Sequence, residues 1–152
     1  MPDPDERTPA DVLLVEDDPA DVLMIRDAFD EHATRSPLHV VGDGHQALQF
    51  LRQEGEFSGV PRPGLVLLDL NLPRRNGLEV LAEIRADASL GPIPVVMLTT
   101  SQAQEDILRS YQLYASAYVT KPIDYDDFIT AIGHIDGFYL RLAQLPGSPA
   151  GQ

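Results

Sequence analysis

The chain has 152 residues, with 24 acidic against 11 basic side chains, a formal net charge of −13 and no cysteine. This length fits one domain and is too short for two ordinary domains, so we expect no separate DNA-binding or other output domain. The acidic balance disfavours nucleic-acid binding, and the absence of cysteine excludes disulfides and thiolate chemistry. No apolar run approaches the ~18 to 20 residues of a membrane span, and the acidic start lacks the features of a secretory signal. The sequence therefore predicts a cytoplasmic protein without membrane contact.

Short apolar runs alternate with amphipathic stretches of helical length, which is typical of βαβ units and a parallel sheet. Residues 12–15 predict a first strand, followed by a helix that begins near Pro19 and extends to about His32. Residues 38–41 predict a second strand, with a helix after it that carries Ala47. We therefore expect two strand–helix pairs in the first third of the chain.

Three more strand–helix pairs follow a predicted loop at residues 55–64. The run that Asp69 closes predicts the third strand, and the next helix is capped by Asn76 and broken by Gly91-Pro92. Residues 94–98 predict the fourth strand, which leads to a helix from about Gln104. Residues 117–120 predict the fifth strand, after which Asp124 caps a last helix from Tyr125.

The last helix carries more apolar surface than one sheet should cover. Phe138, Leu142 and Leu145 form an outer stripe, which predicts either a dimer interface or a helix folded back on its own domain. Residues 1–10 and 146–152 are polar and rich in Pro, Gly or Ser, so we expect disordered tails around a domain that spans residues 11–145.

Polar side chains end four of the predicted strands. Glu16-Asp17 follows the first strand, Asp69 closes the third, Thr99 closes the fourth and Lys121 follows the fifth. Ligands of an open α/β sheet bind outside the carboxyl ends of its strands, so these side chains should meet there. The pattern predicts a site for a metal ion and a phosphoryl group.

Each residue has a role in this predicted site. Asp17 and Asp69 are candidate direct ligands of Mg²⁺, and Glu16 could reach the ion through water. Asp69 could also accept a phosphoryl group as an acyl phosphate. The ammonium of Lys121 and the hydroxyl of Thr99 could hold the phosphoryl oxygens.

Each residue taken alone also has a simpler explanation. Asp69 could cap a turn, and Thr99 could satisfy its strand end. Residues 16–18 could be a solvated acidic turn, in which Asp18 is better explained as the cap of the next helix. Lys121 could be an ordinary surface lysine, and Tyr118 could be an ordinary packing residue. The combination of residues at corresponding strand ends favours the functional interpretation.

The chain resembles the receiver domain of two-component response regulators over nearly its whole length. The residues that carry the resemblance are Glu16-Asp17, Asp69 within residues 67–73, Gly77, Thr99 and Lys121-Pro122. The resemblance implies a flavodoxin-like α/β fold, with a doubly wound five-stranded parallel sheet in the order 2-1-3-4-5.

The resemblance also implies specific roles. Asp69 would accept phosphate from a sensor histidine kinase, and Asp17, Asp69 and the main-chain carbonyl of Asn71 would bind Mg²⁺. Thr99 and Lys121 would contact the phosphoryl group. Thr99 and Tyr118 would act as the switch pair that remodels the face made by the fourth helix, fifth strand and fifth helix. The protein would be a phosphorylation switch in a phosphorelay, catalysing only its own phosphorylation and dephosphorylation.

A finer resemblance concerns the partner. Residues 98–101, the loop at 55–64 and the segment 137–140 look like those of single-domain regulators that partner bacterial phytochromes and hybrid histidine kinases. It implies signalling by protein contacts, including a homodimer through the face described above or through the last helix.

Two other functions fit part of the pattern. A phosphatase of the haloacid-dehalogenase kind also uses an aspartate nucleophile with Mg²⁺, but it needs a second aspartate two residues on, where this chain has Asn71. A pseudo-receiver would bind partners without phosphorylation. The complete set of Asp17, Asp69, Thr99 and Lys121 argues against that alternative.

Overall fold

The computed structural model describes residues 11–31, 36–100, 104–121 and 126. Strands and helices alternate along these residues. The strands are β1 (Val12–Val15), β2 (Leu38–Val41), β3 (Leu65–Asp69), β4 (Val95–Thr99) and β5 (Ala117–Thr120). The helices are α1 (Pro19–Glu31), α2 (Gly44–Arg52), α3 (Gly77–Ala86) and α4 (Gln104–Gln112), with a short 3-10 helix at Gly55–Phe57.

The five strands form one parallel sheet in the order β2-β1-β3-β4-β5. This confirms the predicted strand order. Every residue of β1, β3 and β4 is buried, because these inner strands are covered on both faces. The register pairs Val15 with Leu68, Asp69 with Leu98 and Thr99 with Thr120, so the polar strand ends align at one edge.

Alternate strand residues enter two separate apolar clusters, one on each face of the sheet. Leu13 and Leu68 pack in one cluster with buried side chains of α2 and α3. Leu14 and Leu67 pack in the other cluster, together with Ile25 of α1. The sheet is therefore doubly wound as expected, and its buried strands form a rigid base for the polar edge.

Side-chain caps fix where α1 and α3 begin. The Asp18 carboxylate accepts a hydrogen bond from the Ala20 N–H at 2.9 Å, which confirms the interpretation of Asp18 as a cap. The Asn76 side-chain oxygen accepts from the Glu79 N–H at 2.9 Å, as predicted for the start of α3. Both helices therefore start directly beside the polar edge.

The predicted end of α3 was wrong. Helix α3 ends at Ala86 and not at Gly91-Pro92, because Asp87 leaves the helical conformation and its carboxylate accepts hydrogen bonds from the main chain and side chain of Ser89. The predicted loop at 55–64 contains the 3-10 helix Gly55–Phe57. The predictions for both tails, the Asp124 cap and the outer stripe Phe138, Leu142 and Leu145 fall outside the described residues.

Arg85 ties together the segments that follow α3 and α4. Its guanidinium donates to the carbonyl oxygens of Gly91 at 2.9 Å and of Ile93, and to that of Tyr114 at 2.8 Å. Tyr114 has a left-handed backbone with φ of 64° in the turn before β5. Arg85 thus fixes the entries to both β4 and β5. Within the part of the chain that the structure describes, no helix is long and apolar enough to cross a membrane.

Candidate functional site

Three carboxylates converge at the carboxyl edge of the sheet. Glu16 and Asp17 follow β1, and Asp69 ends β3, which is the parallel neighbour of β1. Each carboxylate offers an oxygen that lies within 4.8 Å of the others. Glu16 and Asp69 are buried, whereas Asp17 is exposed. The cluster therefore has a closed side inside the protein and an open side towards solvent.

The ammonium group of Lys121 lies among the buried carboxylates. Its Nζ is 3.1 Å from Asp69 Oδ2 and 2.8 Å from Asp21 Oδ2, and it also forms an ion pair with Glu16 Oε2. The main-chain N–H of Lys121 donates to the Thr99 carbonyl at 2.7 Å, which holds the chain beside β4 just past the end of β5. One cation thus balances carboxylates from the residue after β1, from α1 and from the end of β3.

Burial and charge act in opposite directions on these groups. Burial raises the pKa of Glu16 to about 7, although its hydrogen bond with Lys121 acts to lower it. Burial lowers the pKa of Lys121, but the hydrogen bonds with Asp21 and Glu16 and the charge of Asp69 outweigh it and raise the pKa above its usual range. The lysine therefore stays charged, and the site favours further positive charge.

Main-chain and side-chain hydrogen bonds orient Asp69. Its Oδ1 accepts from the Asn71 N–H at 3.0 Å, while Oδ2 faces Lys121. The Asn71 side-chain amide donates to Thr99 Oγ1 at 3.3 Å, which links the loop after β3 to the fully buried end of β4. The carboxylate is therefore held at both oxygens before any reaction takes place.

The loop between Asp69 and α3 is closed by an unusually tight approach. The Gly77 N–H donates to the Leu70 carbonyl at 2.7 Å. A Cβ atom at Gly77 would lie 2.3 Å from the main-chain oxygen of Asp69 and 2.8 Å from Leu70 Cα. A glycine is required there, because the first turn of α3 packs directly on the main chain of Asp69.

The donor set fits a hard divalent cation. Such ions prefer carboxylate and carbonyl oxygens and keep several waters, which suits one exposed and two buried carboxylates. Glu16, Asp21 and Asp69 contact one ammonium group, and Asp17 lies beside Glu16 and Asp69, so the site carries excess negative charge. Cation binding there would relieve repulsion between the carboxylates.

The predicted residues Glu16, Asp17, Asp69 and Lys121 thus meet at one edge, with Thr99 linked to them through Asn71. A metal-binding role for the Asn71 carbonyl stays a prediction. Tyr118 is half-buried on β5 and packs against the apolar core, and its switch role also stays a prediction.

Asp21 was missed by the sequence analysis, although it contacts Lys121 directly. Its position was the available signal. Asp21 comes four residues after Asp17 and lies in the first turn of α1, which begins four residues after the end of β1. Its carboxylate could therefore have been placed near the acidic cluster.

Comparison with known proteins gives consistent results. The model of the response regulator receiver domain matches residues 12–133. The response regulator Rcp1 of Synechocystis sp. is 41% identical over 145 residues, which cover 95% of this chain and 99% of that protein.

Solved structures show the same similarity. The phosphorylated cyanobacterial phytochrome response regulator RcpA is 42% identical, with a TM-score of 0.77 and coverage of 91% of this chain and 99% of that chain. The Mn²⁺-bound form of Rcp1 has the same identity and coverage and a TM-score of 0.76. The matched family model, the parallel sheet and the acidic edge all agree, and the chain belongs to the response regulator receiver domain family.

Proposed function

We propose that the protein accepts a phosphoryl group on Asp69 from a sensor histidine kinase and then signals through protein contacts. The observation that carries this proposal is the environment of the Asp69 carboxylate. It is buried, receives the Asn71 N–H on one oxygen, lies 3.1 Å from the Lys121 ammonium on the other and has two further carboxylates beside it.

The proposed reaction is a phosphoryl transfer. An oxygen of Asp69 forms a bond to phosphorus while the phosphorus–nitrogen bond of a phosphohistidine breaks, and the departing imidazole nitrogen keeps the bonding electrons. Lys121 would exchange its contact with the free carboxylate for the phosphoryl oxygens, and Thr99 would donate its hydroxyl to them. These residues supply positioning and charge, which phosphoryl transfer chiefly needs.

Mg²⁺ is the proposed cation of the site. Asp17, Asp69 and the Asn71 carbonyl would hold it, with Glu16 acting through water. When bound, the ion supplies positive charge that offsets the repulsion between the carboxylates and the phosphoryl group. The Mn²⁺ in the Rcp1 structure supports a divalent ion in a protein similar to this one.

The proposed phosphoryl donor is a phytochrome-type kinase. RcpA, which is similar to this chain, is a cyanobacterial phytochrome response regulator. The alignment of the two covers 99% of RcpA and 91% of the present chain. A hybrid histidine kinase is the alternative donor.

Helix α4 and strand β5 are the parts of the proposed output surface that the structure describes. Leu108 and Tyr111 of α4, and Tyr114 in the turn between α4 and β5, are 59%, 48% and 75% exposed. Exposed apolar side chains of this size mark contact surfaces. We propose that this face binds a second copy of the chain or the kinase, with Thr99 and Tyr118 transmitting the state of Asp69.

Mass spectrometry tests the phosphoryl transfer. The wild type, Asp69→Asn and the control Asp27→Asn are incubated with acetyl phosphate and Mg²⁺, and their intact masses are measured. Asp27 is a suitable control because it is exposed on α1. We expect one phosphoryl group on the wild type and on the control, and none on Asp69→Asn.

Equal labelling of Asp69→Asn would refute the assignment of the acceptor. A wild type that is labelled neither by acetyl phosphate nor by a phosphorylated phytochrome-type kinase would favour the pseudo-receiver. Labelling by a hybrid kinase but not by a phytochrome-type kinase would refute only the proposed partner.

A further inference from the structure

The contact between Asp21 and Lys121 has no part in the reaction described above. Among the carboxylates around the ammonium, Asp21 gives a short contact of 2.8 Å, against 3.1 Å for Asp69. Its side chain is 19% exposed, so this ion pair is largely shielded from water. Shielding strengthens the attraction between the two charges.

Asp21 differs from the other partners of Lys121 in its relation to the metal. Glu16 and Asp69 belong to the trio whose oxygens converge within 4.8 Å, whereas Asp21 does not. A cation drawn to that trio competes with Lys121 for Glu16 and Asp69. A phosphoryl group on Asp69 competes for the ammonium itself. Asp21 is the described carboxylate that can keep its contact with Lys121 while the metal is bound.

We propose that Asp21 is a positioning residue that draws the Lys121 ammonium towards α1. This inference rests on the proposed function. By holding the ammonium, Asp21 makes Glu16 and Asp69 more available to the metal. By competing for the same ammonium, it weakens the hold of Lys121 on the phosphoryl group. Asp21 therefore favours metal binding and shortens the life of the phosphorylated form.

Asp21→Asn tests both effects, since it removes the charge of the side chain with little change in its size. The Lys121 ammonium would then contact only Glu16 and Asp69 among these carboxylates and would repel the cation. The site would also carry one negative charge fewer. We expect the dissociation constant for Mg²⁺ to rise about three- to tenfold. At saturating Mg²⁺ the released ammonium and the lost anion should both favour the phosphoryl group, which should persist about two- to fivefold longer.

The experiment measures both quantities on the full chain. Calorimetric titration gives the Mg²⁺ dissociation constant, and intact mass after removal of acetyl phosphate gives the half-life of the phosphoryl group in saturating Mg²⁺. Asp27→Asn makes the same charge change on an exposed part of α1. Asp21→Glu keeps the charge, and we expect its Mg²⁺ affinity to stay within about twofold of the wild type. Thermal melting checks that each variant is folded.

Weaker Mg²⁺ binding together with a longer phosphoryl half-life in Asp21→Asn, absent from Asp27→Asn, would support the proposal. A merely structural role for Asp21 would not weaken Mg²⁺ binding and at the same time lengthen the phosphoryl half-life. Weaker binding with an unchanged or shorter half-life, unchanged or tighter binding, or changes equal to those of Asp27→Asn would overturn the proposal and leave the proposed function intact. If Asp21→Asn does not fold, Asp21→Glu decides, because loss of Mg²⁺ binding in that folded, charged variant would overturn the proposal. A wild type that cannot be phosphorylated would overturn the proposed function and this inference together.

Discussion

Replacing Gly77 by alanine should separate the start of α3 from the strand that carries Asp69. A Cβ atom would lie 2.3 Å from the Asp69 carbonyl oxygen, where ordinary contact begins at 3.4 Å, so the two segments must move apart by about 1 Å (3.4 − 2.3 = 1.1). The three nearest atoms, from Asp69 and Leu70, all belong to the main chain and cannot rotate away. We expect a net loss of about 2 kcal/mol in the free energy of unfolding, since overpacking outweighs the gain in helix propensity.

Urea denaturation in EDTA measures this loss, and Gly59→Ala is the matched control. A Cβ atom at Gly59 has nothing within 4 Å, so that variant should stay within about 0.5 kcal/mol of the wild type. The displaced Asp69 main chain should also weaken Mg²⁺ binding in Gly77→Ala but not in Gly59→Ala. Equal stability of the two variants would refute the argument that contact at Gly77 positions the loop.

Three further predictions concern pH and local hydrogen bonds. Burial raises the pKa of Glu16 from 4.5 to about 7 in the folded chain. In EDTA, the contribution of Glu16 to the free energy of unfolding should therefore be complete at a pH below its pKa in the unfolded chain. It should be lost as the pH rises through the pKa of Glu16 in the folded chain, about 7. In urea denaturation at a series of pH values, Glu16→Gln should make the fall in the free energy of unfolding smaller by on the order of 1 to 3 kcal/mol. An unchanged fall in Glu16→Gln would show that other groups cause it. Arg85→Met leaves the Tyr114 carbonyl and two others without their guanidinium donor, and should cost about 2 kcal/mol in urea denaturation; wild-type stability would contradict this. Asp43 accepts from the Gln46 N–H at 2.7 Å as the N-cap of α2, so Asp43→Ala should cost about 1 kcal/mol by calorimetry and Asp43→Asn less, whereas equal losses would point away from capping.

The sheet could be predicted from the sequence because its inner strands are buried on both faces. Such strands must be apolar along their whole length, and residues 12–15 and 65–68 are continuous apolar runs. Their ends were equally informative, since a carboxylate at the end of an apolar strand marks the carboxyl edge of the sheet. The predicted convergence of Glu16, Asp17 and Asp69 follows from that rule and from the parallel order.

The parts that could not be predicted depend on competition between local and distant contacts. The end of α3 was placed at Gly91-Pro92, but the Asp87 side chain offers the main chain another hydrogen-bond partner earlier. The choice of Asp21 as a partner of Lys121 requires α1 and β5 to be brought together, and 100 residues separate the pair. Hydrophobic periodicity reports which face a residue occupies, but it does not report which of several carboxylates an ammonium will contact.

The ion pair between Glu16 and Lys121 joins residues that are 105 positions apart. A chain being synthesised exposes Glu16, Asp17 and Asp69 well before it exposes the cation that balances them. Until β5 joins the sheet, these carboxylates repel one another without an internal counter-charge. We therefore expect a partly synthesised or cleaved chain that lacks β5 to be a poor phosphoryl acceptor even where β1 and β3 are paired. Completion of the fold and competence to signal would then arrive in the same step, which keeps unfinished chains out of the pool of molecules that compete for the kinase.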